Sequence, residues 1–374
     1  MKILITGGHV TPALAIIEEL QRIGGHEVVF VGRKYPLDSE NTLSLEFKEI
    51  EKRGIKFISL PTGRLARIIS FASIKNAIRI PLGIIRAYEI LRVQKPDIIL
   101  SFGGYIAFPI ALVGYFLGIA VYTHEQTIRP GLANRLIGKV ARAVFISFDG
   151  TQKYFSKDKV IVAGNPIRRF IFEVHSKPFE VSSGKKVIYV TGGSLGSHSI
   201  NVHIGHLLKN LLKKYIVIHQ TGDTKEYNDF EKLTNQRFKL SSEMRKNYIL
   251  RKHFFEDEIG YVYSISDLVI GRAGANTFFE LLALKKPVLF IPLPWSANHE
   301  QQHQAQIFKD NGVGEVFNQS GRSDELLNVT EKMLENIGQY KNNFARLKFM
   351  YKQDATNTIL SEILKGTASA ESLK

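Results

Sequence analysis

Twice in this chain an aliphatic strand pattern ends in threonine, turns through paired glycines and continues as an amphipathic helix. The first copy is Lys2-Ile-Leu-Ile-Thr6, then Gly7-Gly8, then a helical stretch from Pro12 to Ile23. The second is Val187-Ile-Tyr-Val-Thr191, then Gly192-Gly193-Ser194-Leu195-Gly196, then a helix through Leu212. A buried strand feeding a glycine turn and a helix opens a doubly wound parallel sheet. Its repetition predicts two Rossmann-like α/β domains, and 374 residues suit two domains of roughly 150 to 200 residues each.

Further strand patterns follow the first unit at Glu27 to Val31, Ile98 to Ser101, Ala120 to Thr123, Ala143 to Ser147 and Val160 to Val162. After the second they fall at Tyr215 to His219, Leu268 to Ile270 and Val288 to Ile291, with helices at Asn276 to Leu284 and Glu300 to Lys309. Alternating strand and helix periods predict parallel sheets. Pro166, Pro178, Ser182, Ser183 and Gly184 interrupt the pattern, so the domains are expected at 1–165 and 166–350, with a C-terminal helix over 352–366 packing back on the first.

From Ile98 to Thr123 there is no charge, long enough to span a bilayer. Gly103, Gly104, Pro109, Gly114 and Gly118 punctuate it, so it parses instead as strand, loop, helix from Phe108 to Leu117, and strand. No export signal is visible, since Thr6, Gly7, Gly8 and His9 cut short the opening apolar run. The chain has no cysteine, which removes thiolate zinc sites and cysteine nucleophiles. No D-x-D occurs, so a metal-chelating diphosphate site is not indicated. Histidines 198, 203, 206, 299 and 303 lack a matching acid or cysteine cluster, which argues against zinc. No metal and no cofactor are expected.

The net charge is +15, which calls for an anionic partner. From Arg64 to Lys95 seven basic residues (Arg64, Arg67, Lys75, Arg79, Arg86, Arg92, Lys95) face a single acid, Glu89. Isoleucines, Phe71 and Leu82 are interleaved with them, and Pro81 and Gly83 are expected to break the helix. This mixture suits an anionic lipid surface, and equally a helix that covers the sheet with a solvated basic side. Charge beside aliphatics, with no stacking aromatic pattern, sets nucleic acid aside.

Each glycine turn presents backbone N–H groups and a helix N-terminus to whatever sits above the sheet, which makes it a ready anion site. Neither has full G-x-G-x-x-G spacing, and Gly32-Arg33 stands where a ribose-binding acid would be expected, so a nicotinamide enzyme is disfavoured. Another turn, Gly271-Arg-Ala-Gly-Ala-Asn-Thr277, leads into a helix carrying Glu280. That carboxylate could accept both hydroxyls of a ribose, and serves equally as an acid favoured by the helix dipole. Arg168 and Arg272 are the arginines expected to neutralise phosphate. His9, at the tip of the first turn, could take a proton from a hydroxyl nucleophile, although a lone loop histidine need carry no chemistry. His124, Glu125 and Gln126 follow a strand end and could position an acceptor or cap the helix near Gly131.

Eight motifs in order carry a family resemblance: Thr6-Gly-Gly-His-Val-Thr-Pro-Ala-Leu-Ala15, Phe102-Gly-Gly-Tyr105, His124-Glu-Gln126, Pro130-Gly-Leu-Ala-Asn134, Gly164-Asn-Pro-Ile-Arg168, Gly192-Gly-Ser-Leu-Gly196, His219-Gln-Thr-Gly222 and Arg272-Ala-Gly-Ala-Asn-Thr-Phe-Phe-Glu280. From residue 2 to about residue 320 the chain resembles the MurG family of glycosyltransferase family 28, the undecaprenyl-diphospho-muramoylpentapeptide β-N-acetylglucosaminyltransferases. The resemblance implies a GT-B fold, two Rossmann-like domains facing across a cleft. It implies inverting transfer of GlcNAc from UDP-GlcNAc to the C4 hydroxyl of the muramoyl sugar of lipid I. It also implies a peripheral enzyme at the cytoplasmic face of the cell membrane, with an undecaprenyl-linked acceptor and an anionic surface met through 64–95.

By motif, His9 would be the general base. Gly193, Ser194, Arg168, Ala275, Asn276, Thr277 and Glu280 would hold donor diphosphate, sugar and ribose, the backbone of the stretch around Phe255 would read the uracil, and Gln301 and Gln304 would lie at the sugar. Thr6, Gly7, Gly8, Tyr105, His124, Glu125, Thr127 and Asn134 would form the acceptor side. The chain departs from the family in three places: the first glycine loop is about four residues shorter than the family's T-G-G-G-T-G-G-H, Thr127 replaces a common Asn, and Gln304 stands where an Asn often lies. Another GT-B activity with a different sugar or lipid acceptor, and a UDP-GlcNAc 2-epimerase, are the alternatives.

Overall fold

The computed structural model of the protein describes residues 1–35, 43–60, 71–181, 184–222, 224 and 226–371. It divides into two units: Met1–Arg168 together with the chain from Lys352 onward, and Arg169–Tyr351. Arg64, Arg67, Ile68 and Ile69 of the basic segment, and Ser182 and Ser183, lie outside the described residues. For residues 71–80 only the backbone is described.

The first unit runs β1 (Lys2–Thr6), α1 (Val10–Ile23), β2 (Glu27–Gly32), α2 (Leu45–Lys52), β3 (Lys56–Ser59), α3 (Phe71–Gln94), β4 (Ile98–Ser101), α4 (Gly104–Phe116), β5 (Ala120–Glu125), α5 (Leu132–Val140), β6 (Ala143–Ile146) and β7 (Val160–Val162). Its sheet has the order β3-β2-β1-β4-β5-β6-β7, with every pair parallel. β1, β4 and β6 carry unbroken apolar runs (Ile3 to Ile5, Ile98 to Leu100, Ala143 to Ile146) because both faces of the sheet are covered. On one face Ile3, Ile5, Leu14, Ile17, Leu100 and Phe145 pack together; on the other Leu4, Ile99, Ile110, Val121 and Val144 do.

The second unit runs β8 (Val187–Thr191), α6 (His198–Lys214), β9 (Ile216–Gln220), α7 (Asp229–Phe238), α8 (Ser242–Lys246), β10 (Tyr248–Arg251), α9 (Glu256–Ile265), β11 (Leu268–Gly271), α10 (Ala275–Leu284), β12 (Val288–Phe290), α11 (Glu300–Asp310), β13 (Gly314–Val316), α12 (Ser323–Glu335) and α13 (Ile337–Asn343). Its sheet order, β10-β9-β8-β11-β12-β13, is again fully parallel. α14 (Ala355–Glu371) returns to the first unit, where Ile359, Leu360 and Ile363 join the core beside α1.

The structure differs from the sequence expectation in α3, which runs unbroken from Phe71 to Gln94 with Pro81 inside it. A proline removes one backbone hydrogen bond and does not forbid a helix that packing holds from either side. The charge-free stretch divides into β4, α4 and β5, but α4 begins four residues earlier than expected because Gly103 (φ +80°) and Gly104 (φ +78°) turn the chain at once. Among the described residues no helix is long and apolar enough to cross a membrane.

Candidate functional site

In both sheets the first strand of the unit lies centrally, flanked by neighbours whose connections leave in opposite directions: β1 between β2 and β4, and β8 between β9 and β11. Open α/β sheets bind ligands at such a reversal, outside the carboxyl ends of the strands. The two glycine turns sit there. In the first unit the turn after β1 meets the turn after β4 so closely that a Cβ on Gly8 would lie 2.3 Å from the Gly103 carbonyl oxygen.

His9 ends the first turn as the N-cap residue of α1. Burial lowers its pKa, and the Glu125 charge opposes that shift only in part. The imidazole is therefore a neutral base at pH 7. Glu125, at the end of β5, is buried with three donors on its carboxylate: the Thr127 amide (2.8 Å) and hydroxyl (2.7 Å) on Oε1, and the Asn134 amide (2.8 Å) on Oε2. Thr127 thus closes a local turn on Glu125. Asn134 also donates to the His124 carbonyl and accepts from Thr123.

His124 is buried, with Nε2 3.0 Å from the Gly164 carbonyl, so this nitrogen carries the proton. Burial holds its pKa down at about 4. The His9 ring adds a smaller downward contribution. Thr6 is buried at the end of β1, its hydroxyl without a partner among the described residues. Tyr105 opens α4, and the Arg33 guanidinium lies 5.1 Å over its ring. The acceptor-side residues named from sequence therefore converge on one end of the first sheet.

In the second unit the turn after β8 carries Gly193 at φ +88° and Gly196 at φ +83°. A Cβ on Gly196 would meet the Thr221 carbonyl oxygen at 1.9 Å, so only glycine lets this turn lie against residues 221–222. Gln220, at the end of β9, ties the layer together. Its amide donates to Thr191 Oγ1 and to the Gly193 carbonyl, while its oxygen accepts from the Phe254 amide and from Tyr189. Half-buried Ser194 stands in this turn ahead of α6.

Glu280 is buried on α10 and accepts from Tyr263 at 3.1 Å. Tyr263 meets Tyr189 edge-on, which connects Glu280 to the Gln220 layer. Ala275, Asn276 and Thr277 form the first turn of α10, next to the Gly274 N-cap. Phe255 caps α9: its amide donates to the Glu258 carboxylate and its carbonyl accepts from Glu258 and Ile259, so it presents a 61% exposed ring rather than backbone. Gln301 turns its oxygen to the Leu293 amide (2.9 Å). Gln304 is fully buried, bonded to Glu300, with Oε1 unpartnered among the described residues. Arg168 is half-buried at the end of the first unit.

Arg272 takes a different place from the one its sequence position suggests. Its guanidinium donates to Ser197 Oγ (2.7 Å), Ser199 Oγ (2.9 Å), Gln319 Oε1 (2.9 Å) and the Ile291 carbonyl (2.8 Å). Burial lowers its pKa to about 10, which leaves it charged at pH 7. It lies beneath the N-terminus of α6, where its charge adds to the helix dipole from behind.

Two family models match the chain: the glycosyltransferase family 28 N-terminal domain over residues 6–146 and the family 28 C-terminal domain over 187–359. The chain belongs to glycosyltransferase family 28. This family-28 transferase is 33% identical to a UDP-N-acetylglucosamine–N-acetylmuramyl-(pentapeptide) pyrophosphoryl-undecaprenol N-acetylglucosamine transferase of Clostridium botulinum, over 93% of this chain and 95% of that protein. A protein of the same name from Clostridium kluyveri is 33% identical over 97% and 99% of the two chains. In fold the transferase is similar to Acinetobacter baumannii MurG (TM-score 0.70, 24% identity, 98% of this chain and 100% of that one). It is also similar to Neisseria meningitidis UDP-GlcNAc 2-epimerase bound to UDP-GlcNAc (TM-score 0.64, 17% identity, 98% and 100%).

Sequence reasoning gave no role to Gln220, Arg33 or Glu46. Gln220 was visible as the polar residue ending a buried strand inside a quoted motif; the other two show nothing until β2 and α2 are folded together. Three of the histidines weighed for zinc have other partners: His198 pairs with Asp229, His203 with Ser323 and Gln319, and His206 with Ser323. Among the described residues no group of three metal-ligating side chains forms.

Proposed function

We propose that this transferase moves GlcNAc from UDP-GlcNAc to the C4 hydroxyl of the muramoyl sugar of lipid I, with inversion. The observation that carries the reading is one-third identity, over nearly the whole of both chains, to transferases named for that donor and acceptor. Two features of the fold support it. The second unit offers an anion site of glycine amides, the N-terminus of α6 and the Arg272 charge beneath it, flanked by buried Glu280 for a ribose. The first unit offers a neutral imidazole at the matching strand end.

In this mechanism Gly193 and Ser194 hold the donor diphosphate, assisted by Arg168. Ala275, Asn276, Thr277, Gln301 and Gln304 line the sugar and phosphate, and the exposed Phe255 ring meets the uracil. His9 takes the proton of the attacking hydroxyl as the anomeric carbon gains positive character. The bond to the diphosphate oxygen breaks, and UDP leaves with its charge held by amides and arginine. Glu125 steadies the imidazolium that forms, while Thr6, Gly7, Gly8, Tyr105, His124, Thr127 and Asn134 shape the acceptor side.

The acceptor's lipid calls for an anionic membrane surface. Leu82, Ile85 and Tyr88 on α3 and Tyr115 and Phe116 at the end of α4 are exposed, with Phe116 at 76%, and Arg86, Arg92 and Lys95 lie among them. Exposed apolar side chains ringed by cations suit the cytoplasmic leaflet. A radiolabel assay that offers UDP-GlcNAc and other nucleotide sugars to a lipid I analogue and to a diacylglycerol tests the reading. Label from UDP-GlcNAc in the lipid I analogue alone is expected. Preferential label in the diacylglycerol, or sugar released without acceptor as a 2-epimerase would do, overturns it.

A further inference from the structure

Gly7 and Gly32 follow Thr6 and Val31, which are paired in register across β1 and β2, and neither glycine has a side chain to fill the space between them. The carboxyl of Glu46 fills it. A Cβ on Gly7 would lie 1.9 Å from Glu46 Oε1, and one on Gly32 would lie 1.8 Å from the same atom. Glu46 is held there by the start of α2: the Ser44 hydroxyl accepts from the Phe47 amide and donates to the Arg33 carbonyl, and the Ser44 amide donates to the Lys34 carbonyl. Oε1 is buried and has no hydrogen-bond partner among the described residues.

We propose that Glu46 is a positioning residue for the acceptor, whose diphosphate docks on the β1 turn only while the Glu46 carboxyl is protonated. A carboxylate oxygen sealed between two glycines with no donor is a costly place for charge, whereas the neutral acid fits it. An anionic acceptor set on Gly7 and Gly8 would add a second negative charge against the same turn. Burial pushes the Glu46 pKa up to about 7, while the Arg33 charge and amide pull it down.

The other titratable groups on the elements that meet there are Lys2 on β1 and His9 after it, Glu27 on β2 and Lys34 after it, Tyr105 and Tyr115 on α4, and Lys48, Glu49, Glu51 and Lys52 on α2. His9 is held neutral by burial, and Glu49 is paired with Arg53 at 2.7 Å. Of all these groups, Arg33 is the cation that acts on Glu46. The proposal rests on the reading that the first unit receives a diphosphate-linked acceptor.

The test uses the full chain, a lipid I analogue and UDP-GlcNAc. The wild-type acceptor KM is expected to rise about tenfold from pH 6 to pH 8 as the competent fraction falls, with the UDP-GlcNAc KM unchanged. Glu46→Gln, neutral at every pH, is expected to keep the low-pH KM throughout. A variant whose KM follows the wild-type curve, or a wild-type KM flat in pH, overturns the proposal.

Calorimetry of the wild type with a lipid I analogue, whose diphosphate is esterified at both ends and does not titrate near pH 7, in two buffers of different ionisation enthalpy, asks the same question without a variant. Uptake of about half a proton at pH 7 is expected; no uptake overturns the proposal. Uptake without transfer would sink the transferase reading and leave Glu46 its role, and transfer with no uptake and a flat KM would do the reverse.

Discussion

Asn134 Nδ2 stands 2.8 Å from Glu125 Oε2 and gives the buried carboxylate its third donor. That buried charge is the one that raises the His9 pKa against burial. Replacing Glu125 by Gln removes it. The His9 pKa is then expected to fall further, moving the acid limb of the kcat/KM profile to lower pH and weakening the base. A pH–rate profile for Glu125→Gln checks this; an acid limb moved upward would contradict it.

His9→Ala is expected to lower kcat by roughly 10²- to 10⁴-fold, the usual worth of a positioned base. UDP affinity should hardly change, because the nucleotide site is assigned to the other unit. Steady-state kinetics with parallel UDP calorimetry separates the two effects.

Gly196→Ala is expected to destabilise the protein by about 2 to 4 kcal/mol, since the new Cβ must displace the Thr221 carbonyl from a backbone at φ +83°. UDP-GlcNAc affinity should fall with it. Denaturant unfolding and donor calorimetry measure both effects.

His219 sits between the Tyr248 hydroxyl (3.0 Å on Nδ1) and the Asn201 oxygen (3.0 Å on Nε2), an arrangement that the neutral ring satisfies. Burial lowers its pKa to about 3 and that of His124 to about 4. A folded-state pKa depressed below the unfolded value near 6.5 gives stability that is present above pH 6.5 and lost as pH falls. His124 alone accounts for at most about 3 kcal/mol between pH 6.5 and pH 4. Stability measured by urea titration should decline across that window, and His124→Asn should decline less steeply.

The central strands were readable because burial on both faces leaves unbroken apolar runs such as Ile98 to Leu100 and Val187 to Val190. β3, β10 and β13 were not: Lys56 to Ser59, Tyr248 to Arg251 and Gly314 to Val316 are short and carry polar residues. The site was legible at its backbone level, where glycine, His9 and Glu280 occupy strand and helix ends. Its side-chain wiring was not. Arg272 reads as a phosphate ligand in a glycine-rich turn, yet Ser197, Ser199 and Gln319, which are distant in sequence, claim its guanidinium. Glu46 lies in a stretch to which the sequence assigns no element, and only the pairing of β1 with β2 gives it the slot between Gly7 and Gly32.

A crystal structure with UDP bound tests the division of labour between the units most directly. The expected result is the diphosphate over Gly193 and Ser194 at the N-terminus of α6, with the ribose on Glu280 and His9 bare of nucleotide. Density for UDP on the β1 turn beside His9 would contradict the account.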